Sequence, residues 1–252
     1  MSHFKISIFT LTIAGCLSSF GCALDASSEA TAETDQALQG KNDKSSCGDF
    51  TLTSPAFRSG APLPAKFSCQ GKPFADGTSP ELDWHGEPKG TKSYAILLKD
   101  LSIEAGQASD TDPNHAYHWT IWNVAGSADS LPASLPIGQF PLRGGLKNAE
   151  QLNGAPPWLE QNKYFGPCPN LGALLGAPIE THHDEFILYA FKEAKLTIPE
   201  DPGPDPAAPY SRVRQLALYF EAHNIGKAEL KLTSNATPSC APGFGPPFPD
   251  CQ

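Results

Sequence analysis

Amphipathic helical blocks are scarce in this chain of 252 residues, which argues against a helical bundle. A basic stripe is missing as well. The formal charge is −9, and no run of Lys and Arg could track a phosphate backbone, so nucleic acid is not an expected partner. No G-x-S-x-G elbow, P-loop, H-E-x-x-H or dinucleotide fingerprint occurs, which removes the standard hydrolase, nucleotide and zinc-protease signatures. No internal repeat is visible. The apolar run at residues 6–15 is shorter than the roughly 20 residues that span a bilayer. What the chain does have is 22 glycines, 25 prolines and 40% hydrophobic residues. Those are the makings of a β-rich, loop-rich domain with a sizeable core.

The N-terminal 22 residues read as an export signal, with Lys5 ahead of the short apolar run. Small residues then precede a cysteine twice. Ile13-Ala14-Gly15-Cys16 resembles the bacterial lipoprotein box, and Ser19-Phe20-Gly21-Cys22 is a poorer match at a more usual signal length. Acylation at Cys16 or Cys22 would tether the protein to a membrane, whereas a plain secretory signal would release it. Neither following residue, Leu17 or Ala23, is the aspartate that retains lipoproteins at the inner membrane, which points to the outer one. Residues 23–46 are small and polar and read as a disordered tether. Export permits disulfides. Cys47, Cys69, Cys168, Cys240 and Cys251 follow the tether, and Cys47 could staple the domain ends by pairing with Cys240 or Cys251. Connectivity itself stays open.

The folded part is expected over residues 47–235, with an irregular cysteine-containing tail at 236–252 held, if at all, by cysteine. Short apolar runs at 50–57, 82–86, 93–101, 117–126, 184–192 and 228–234 read as strands, those at 93–101 and 184–192 as buried on both faces. Their spacing predicts two packed sheets or a barrel-like pair. One helix is predicted over 211–224, with Val213, Leu216, Ala217 and Phe220 at helical spacing, Ser211 as N-cap and Gly226 as stop. A proline-rich loop at 200–209 leads into it.

Histidines carry the candidate chemistry. Strict alternation puts His118 on one strand face with Thr120, Trp122 and Val124, and His182 with Asp184, Phe186 and Leu188. Both stand near strand starts, at a sheet end where pockets open. His115 reads as a loop residue. Three site chemistries fit, beside the plain reading of core histidines. His118, His182 and Asp100 could bind zinc, though their spacing matches no short motif. Cys168 could be a nucleophile with either histidine as base, though prolines flank it. Or the histidines could donate N–H groups to an anion, with an aspartate orienting one of them and the backbone amides of 166–169 completing a cradle.

The order of several motifs resembles the phosphatidylethanolamine-binding protein family, in its bacterial Raf kinase inhibitor-like branch. They are Phe67-Ser68-Cys69-Gln70-Gly71, Ser79-Pro80-Glu81-Leu82-Asp83-Trp84, His118-Trp119 with Asn123, Asn153-Gly154 followed by Tyr164-Phe165-Gly166-Pro167-Cys168-Pro169, and the strand Phe186 to Ala190. The resemblance runs from about residue 50 to 233. It implies a mainly β fold, with a large central sheet packed on a smaller sheet and a C-terminal helix. It also implies a shallow ligand pocket at one sheet end, carried over to Asp100, His118, Gly166, Pro167, Cys168, Pro169 and His182. Two stretches depart from the family pattern. The D-P-D-A stretch is Asp100-Leu101-Ser102-Ile103 here, and H-R-Y is His182-His183-Asp184, so Ser102 and Asp184 are expected at the pocket rim together with the acidic segment 102–117. The resemblance implies a non-enzymatic binding protein for a small anion or phospholipid head group that modulates a partner protein, and no metal or cofactor is expected. The alternative is a hydrolase, or an inhibitor of a protease or kinase, using the same pocket.

Overall fold

The computed structural model describes residues 49–138, 146–198 and 208–251. The signal segment with Cys16 and Cys22, the tether 23–46, Cys47 and most of the loop 200–209 lie outside them. Strand β1 (Thr51–Thr53) pairs with β3 (Leu82–His85), which pairs with β6 (Ser130–Leu131), giving a small three-stranded sheet. The larger sheet has six strands in the order β2 (Ala61–Pro62), β9 (Gly226–Ser234), β8 (His182–Phe191), β4 (Ser93–Asp100), β5 (Tyr117–Ala125) and β7 (Glu150–Asn153). All its pairings are antiparallel except β2 with β9. The mainly β architecture with a large and a small sheet is therefore present.

Burial explains the sequence patterns. The central strands β4 and β8 are covered on both faces, hence their unbroken apolar runs, while β9 alternates buried and exposed residues. One face of the large sheet packs Ile96, Leu98, Trp119 and Phe186 against Leu52, Leu82 and Trp84 of the small sheet. The other face packs Leu97, Trp122, Ile187 and Tyr189 under helix α2 (Ala208–His223), through Val213, Leu216, Ala217 and Phe220. Full burial of one such side chain contributes about 1.5–3 kcal/mol.

Several local expectations need correction. Helix α2 starts three residues before Ser211, so Ser211 lies inside the helix rather than capping it. Pro209 is tolerated there because first-turn amides need no intrahelical partner. Gly226 does not stop α2. Asn224 does, its side-chain amide donating to the carbonyls of Phe220 and Glu221 at 3.0 and 2.9 Å. Gly226 opens β9 instead, where a Cβ would stand 2.5 Å from Pro88 Cγ.

Strand β5 also breaks its alternation twice. Leu98 pairs with Trp119 and Lys99 with Tyr117, so one step on β4 opposes two on β5, and His118 is the extra residue of a β-bulge. A second irregularity lies near Asn123, which has φ +58°. As a result His118, Thr120, Trp122 and Val124 do not share one face. Val124 joins the core between the sheets and Trp122 the core under α2.

Among the described residues the disulfides are Cys69–Cys168 and Cys240–Cys251. The second uses both candidate partners of Cys47, so the expected staple between the domain ends does not form. It also closes within the tail and ties it to nothing else. The tail is held by the hydrogen bonds Phe74 N–H to Cys240 O (2.9 Å) and Ser239 N–H to Lys72 O (2.7 Å). Phe244 adds an edge-on contact with Phe74. Ala236 and Ala241 are buried in a third apolar cluster with Cys69, Phe74, Phe165 and Cys168.

Candidate ligand site

Asp100 ends β4 and caps the short helix α1 (Leu101–Glu104). Its Oδ1 accepts from the N–H groups of Ser102 and Ile103 at 2.8 and 3.0 Å. Its Oδ2 accepts from His182 Nδ1 at 2.5 Å, across the β4–β8 pairing. The second imidazole nitrogen of His182, Nε2, reaches Glu180 Oε2 at 3.3 Å. The carboxylate and the imidazole thus fix each other's orientation.

The bulge in β5 turns His118 toward the same corner. Its Nε2 lies 3.8 Å from Asp100 Oδ2 and 3.8 Å from Asp184 Oδ1, while its ring meets Phe165 edge-on at 5.3 Å. His118 is 5% exposed and Asp184 fully buried, yet neither ring nitrogen of His118 and neither oxygen of Asp184 has a hydrogen-bond partner. A buried polar atom left in that state costs on the order of 1–3 kcal/mol. Asp100 and Asp184 are also directly opposite one another on neighbouring strands, where like charges repel.

The protonation pattern follows from these contacts. Burial works against an ionised Asp100, but His118 and the hydrogen-bonded His182 outweigh it and hold its carboxyl well below the usual range. Burial likewise works against a charged His182, but the Asp100 hydrogen bond and charge, helped by Glu180, raise its pKa. Asp184 is raised well above the ordinary carboxylate value, by burial and then by the charge of Asp100. The buried Tyr164 phenol is raised by burial and by Asp184, and it donates to Phe67 O at 3.1 Å.

Above this corner opens a cleft of about 220 Å³. Asp100, His118 and His182 line it, together with Phe165, Cys168, Pro169 and Leu171 from the following loop. Ile103, Asp110 and His115 close another side, and Phe74, Pro156 and Phe244 complete the wall. Five of the expected residues therefore meet in one place: Asp100, His118, Cys168, Pro169 and His182.

The others do not reach the cleft. Gly166 lies behind the lining, where a Cβ would stand 2.1 Å from Phe67 O. Pro167 is behind it too, its carbonyl accepting from Cys69 N–H at 3.4 Å. The amide cradle at 166–169 is thin, because Pro167 and Pro169 have no N–H. Ser102 is buried rather than at the rim, and its hydroxyl accepts from His183 N–H at 2.9 Å. Asp184 sits beneath the floor, not at the rim, because its side of β8 faces the core.

Two chemical readings are corrected at the same time. Cys168 is joined to Cys69 and offers no thiol. His182 has both nitrogens engaged by Asp100 and Glu180, so it is poorly placed as a zinc ligand. Among the described residues, the group whose donor atoms converge is Asp100, His118 and Asp184, all within 4.8 Å of one another.

His115 lies in a turn just before β5, as its loop reading expects, within the segment 102–117 expected at the rim, but it was not singled out as a site residue. It lines the cleft, with Nδ1 2.7 Å from Asp110 Oδ2, a hydrogen bond that raises its pKa. The acidic residues just before it, Asp110 and Asp112, were the available signal. Phe244 comes from the tail, where no periodicity marks a wall residue.

The family model for phosphatidylethanolamine-binding protein matches residues 53–235. A UPF0098 protein of Chlamydia trachomatis is 31% identical over 179 residues, covering 71% of this chain and 94% of that protein. A Mycobacterium tuberculosis protein that carries the name lipoprotein LppC is 31% identical over 143 residues, or 56% of this chain. The match spans only about half of that relative, 54% of its length. The crystal structure of Escherichia coli YbcL, described as a member of the mammalian PEBP family, shares the fold. It has a TM-score of 0.50 at 23% identity, and the match covers 75% of this chain and 99% of YbcL.

Proposed function

The chain belongs to the phosphatidylethanolamine-binding protein family, and from that premise we propose that it is an exported binding protein that takes a small phosphate-type anion in the cleft above His118. The observation that carries this reading is the state of His118, a buried imidazole on the cleft wall with neither ring nitrogen hydrogen-bonded. A ligand that accepts a hydrogen bond supplies the partner that His118 lacks. Electrostatics are compatible with an anion despite two aspartates. Protonated His182 offsets ionised Asp100, and Asp184 is held neutral. The cleft, of about 220 Å³, is of a size that suits a phosphate or a phosphoester head group.

Export is supported by two disulfides, which persist in oxidising compartments, and by similarity to a protein named as a lipoprotein. Among the described residues no helix is long and apolar enough to cross a membrane. Attachment through Cys16 or Cys22, and modulation of a partner protein, belong to this reading as well. A binding role, rather than turnover, is favoured by the oxidised state of Cys168, the nucleophile candidate beside the cleft.

Calorimetry tests the ligand. Inorganic phosphate, phosphorylethanolamine and phosphatidylethanolamine vesicles are titrated separately into the full chain and into His118→Ala. Binding of the first two that His118→Ala abolishes is expected, and binding by vesicles alone points to the lipid as the source. Affinity should fall as pH rises, because His182 loses its proton and Asp184 gains charge. Tight binding independent of pH, or binding unaffected by His118→Ala, would refute the reading.

A further inference from the structure

Two buried polar groups at the cleft floor share one deficit. Asp184 has no partner for either oxygen, and His118 has none for either ring nitrogen, although the two side chains face each other at 3.8 Å. Asp100 stands at the same 3.8 Å from His118 Nε2 and directly opposite Asp184 in the sheet. A cation among the three would give His118 Nε2 and Asp184 Oδ1 the partner each lacks, and would let Asp184 ionise beside Asp100.

The geometry points to a divalent transition-metal site at the cleft floor, with Asp100, His118 and Asp184 each giving one ligand atom. Those atoms already lie within 4.8 Å of one another. Tetrahedral zinc, with bonds of about 2.0–2.2 Å, needs its donors roughly 3.3–3.6 Å apart, so small side-chain rotations close the site. One imidazole and two carboxylates form a nitrogen–oxygen set suited to Zn²⁺ or its neighbours, whereas Mg²⁺ and Ca²⁺ prefer oxygen alone.

The supporting shell is in place. His182 donates to Asp100 Oδ2, and the amides of Ser102 and Ile103 donate to Oδ1, which is how a ligating carboxylate is oriented. The ring of Phe165 fixes the plane of His118. Asp100 and His118 also line the cleft, so the fourth position opens into it. A phosphate oxygen there would complete the coordination, and the metal would add positive charge beside that of His182. This inference rests on the cleft being a ligand site, but not on the ligand being an anion.

The test uses the full chain, stripped with chelator and loaded with Zn²⁺ alone in phosphate-free buffer. Metal content after gel filtration and affinity by chelator competition are the readouts. One zinc per chain is expected. Asp184→Asn should weaken binding at least about tenfold, while His183→Gln, an exposed neighbour, leaves it unchanged. If Asp184→Asn does not fold, His118→Gln gives the same comparison. No saturable zinc, or zinc held equally by the variants, overturns the site. Phosphate is titrated separately into the metal-free protein. Zinc uptake without phosphate binding, with or without metal, supports the cation site and overturns the anion reading alone. Phosphate binding without zinc uptake overturns the cation site alone.

Discussion

Replacing Gly166 by alanine should loosen the wall of the cleft from behind. The added Cβ would stand 2.1 Å from Phe67 O and 3.1 Å from Phe67 C and Ser68 Cα. Carbon contacts are comfortable at about 3.5 Å, so the carbonyl must retreat by more than about 1 Å. It is not free to do so. Tyr164 donates to that carbonyl at 3.1 Å, and the Cys69–Cys168 disulfide pins the two segments together two residues further along each. Overpacking of this kind costs about 1–3 kcal/mol, and the two constraints place Gly166→Ala toward the upper end. For a domain of this size each kcal/mol shifts the melting temperature by about 2–4 °C, so a fall of roughly 5–10 °C is expected. Thermal unfolding followed by circular dichroism reads it. Gly77 is the control. A Cβ there meets the same Phe67 carbonyl, and Tyr164, at an ordinary 3.5 Å, so Gly77→Ala should stay within about 0.5 kcal/mol of wild type. Equal melting of Gly166→Ala and wild type, or an equal loss in both variants, would refute the packing account.

Two further outcomes concern stability. Replacing Cys69 and Cys168 together by alanine should cost about 2–5 kcal/mol in denaturant unfolding, because the bridge closes a loop with a sequence separation of 99 residues; the double variant of Cys240 and Cys251, with a separation of 11, should cost less. The Asp110–His115 pair gives a pH signature. The Asp110 hydrogen bond raises His115, so its contribution is complete below the ordinary imidazole value and is lost as pH rises through the higher folded value. Burial works against ionised Asp110 but His115 outweighs it and lowers its pKa, so that contribution is present above the ordinary carboxylate value and is lost as pH falls through the lower folded one. The melting difference between wild type and Asp110→Asn should therefore peak near about pH 5 and shrink toward both pH extremes. A difference that grows steadily from acid to alkaline pH would contradict the pairing.

Sequence pattern located the elements whose burial is uniform or strictly alternating. The runs at 93–101 and 184–192 are legible because β4 and β8 are covered on both faces, and α2 because its apolar residues follow a helical period. Alternation failed where the backbone departs from it. A bulge costs one residue of register and leaves no mark in composition, so His118 could not be assigned its face from spacing. Its neighbourhood was legible only through the order of motifs, which associates it with Asp100 and His182. Ser102 and Asp184 are expected at the rim because they stand where the family pattern has pocket residues, yet one hydroxyl is spent on a backbone amide and one carboxyl is held under the floor by the core register of β8. The tail was set apart because it has no period, although Phe244 reaches the cleft through packing on Phe74. Disulfide pairing is decided by the fold that brings Cys69 beside Cys168, and spacing along the chain carries no such information.

The central claim is that His118 is the buried donor that a small anion engages. Histidine side-chain NMR during a titration with inorganic phosphate tests it most directly. The account predicts saturable shifts in the His118 imidazole signals, smaller ones in His182, and none in the exposed His85 and His183. Shifts confined to the exposed histidines, with His118 unmoved at saturation, would contradict it.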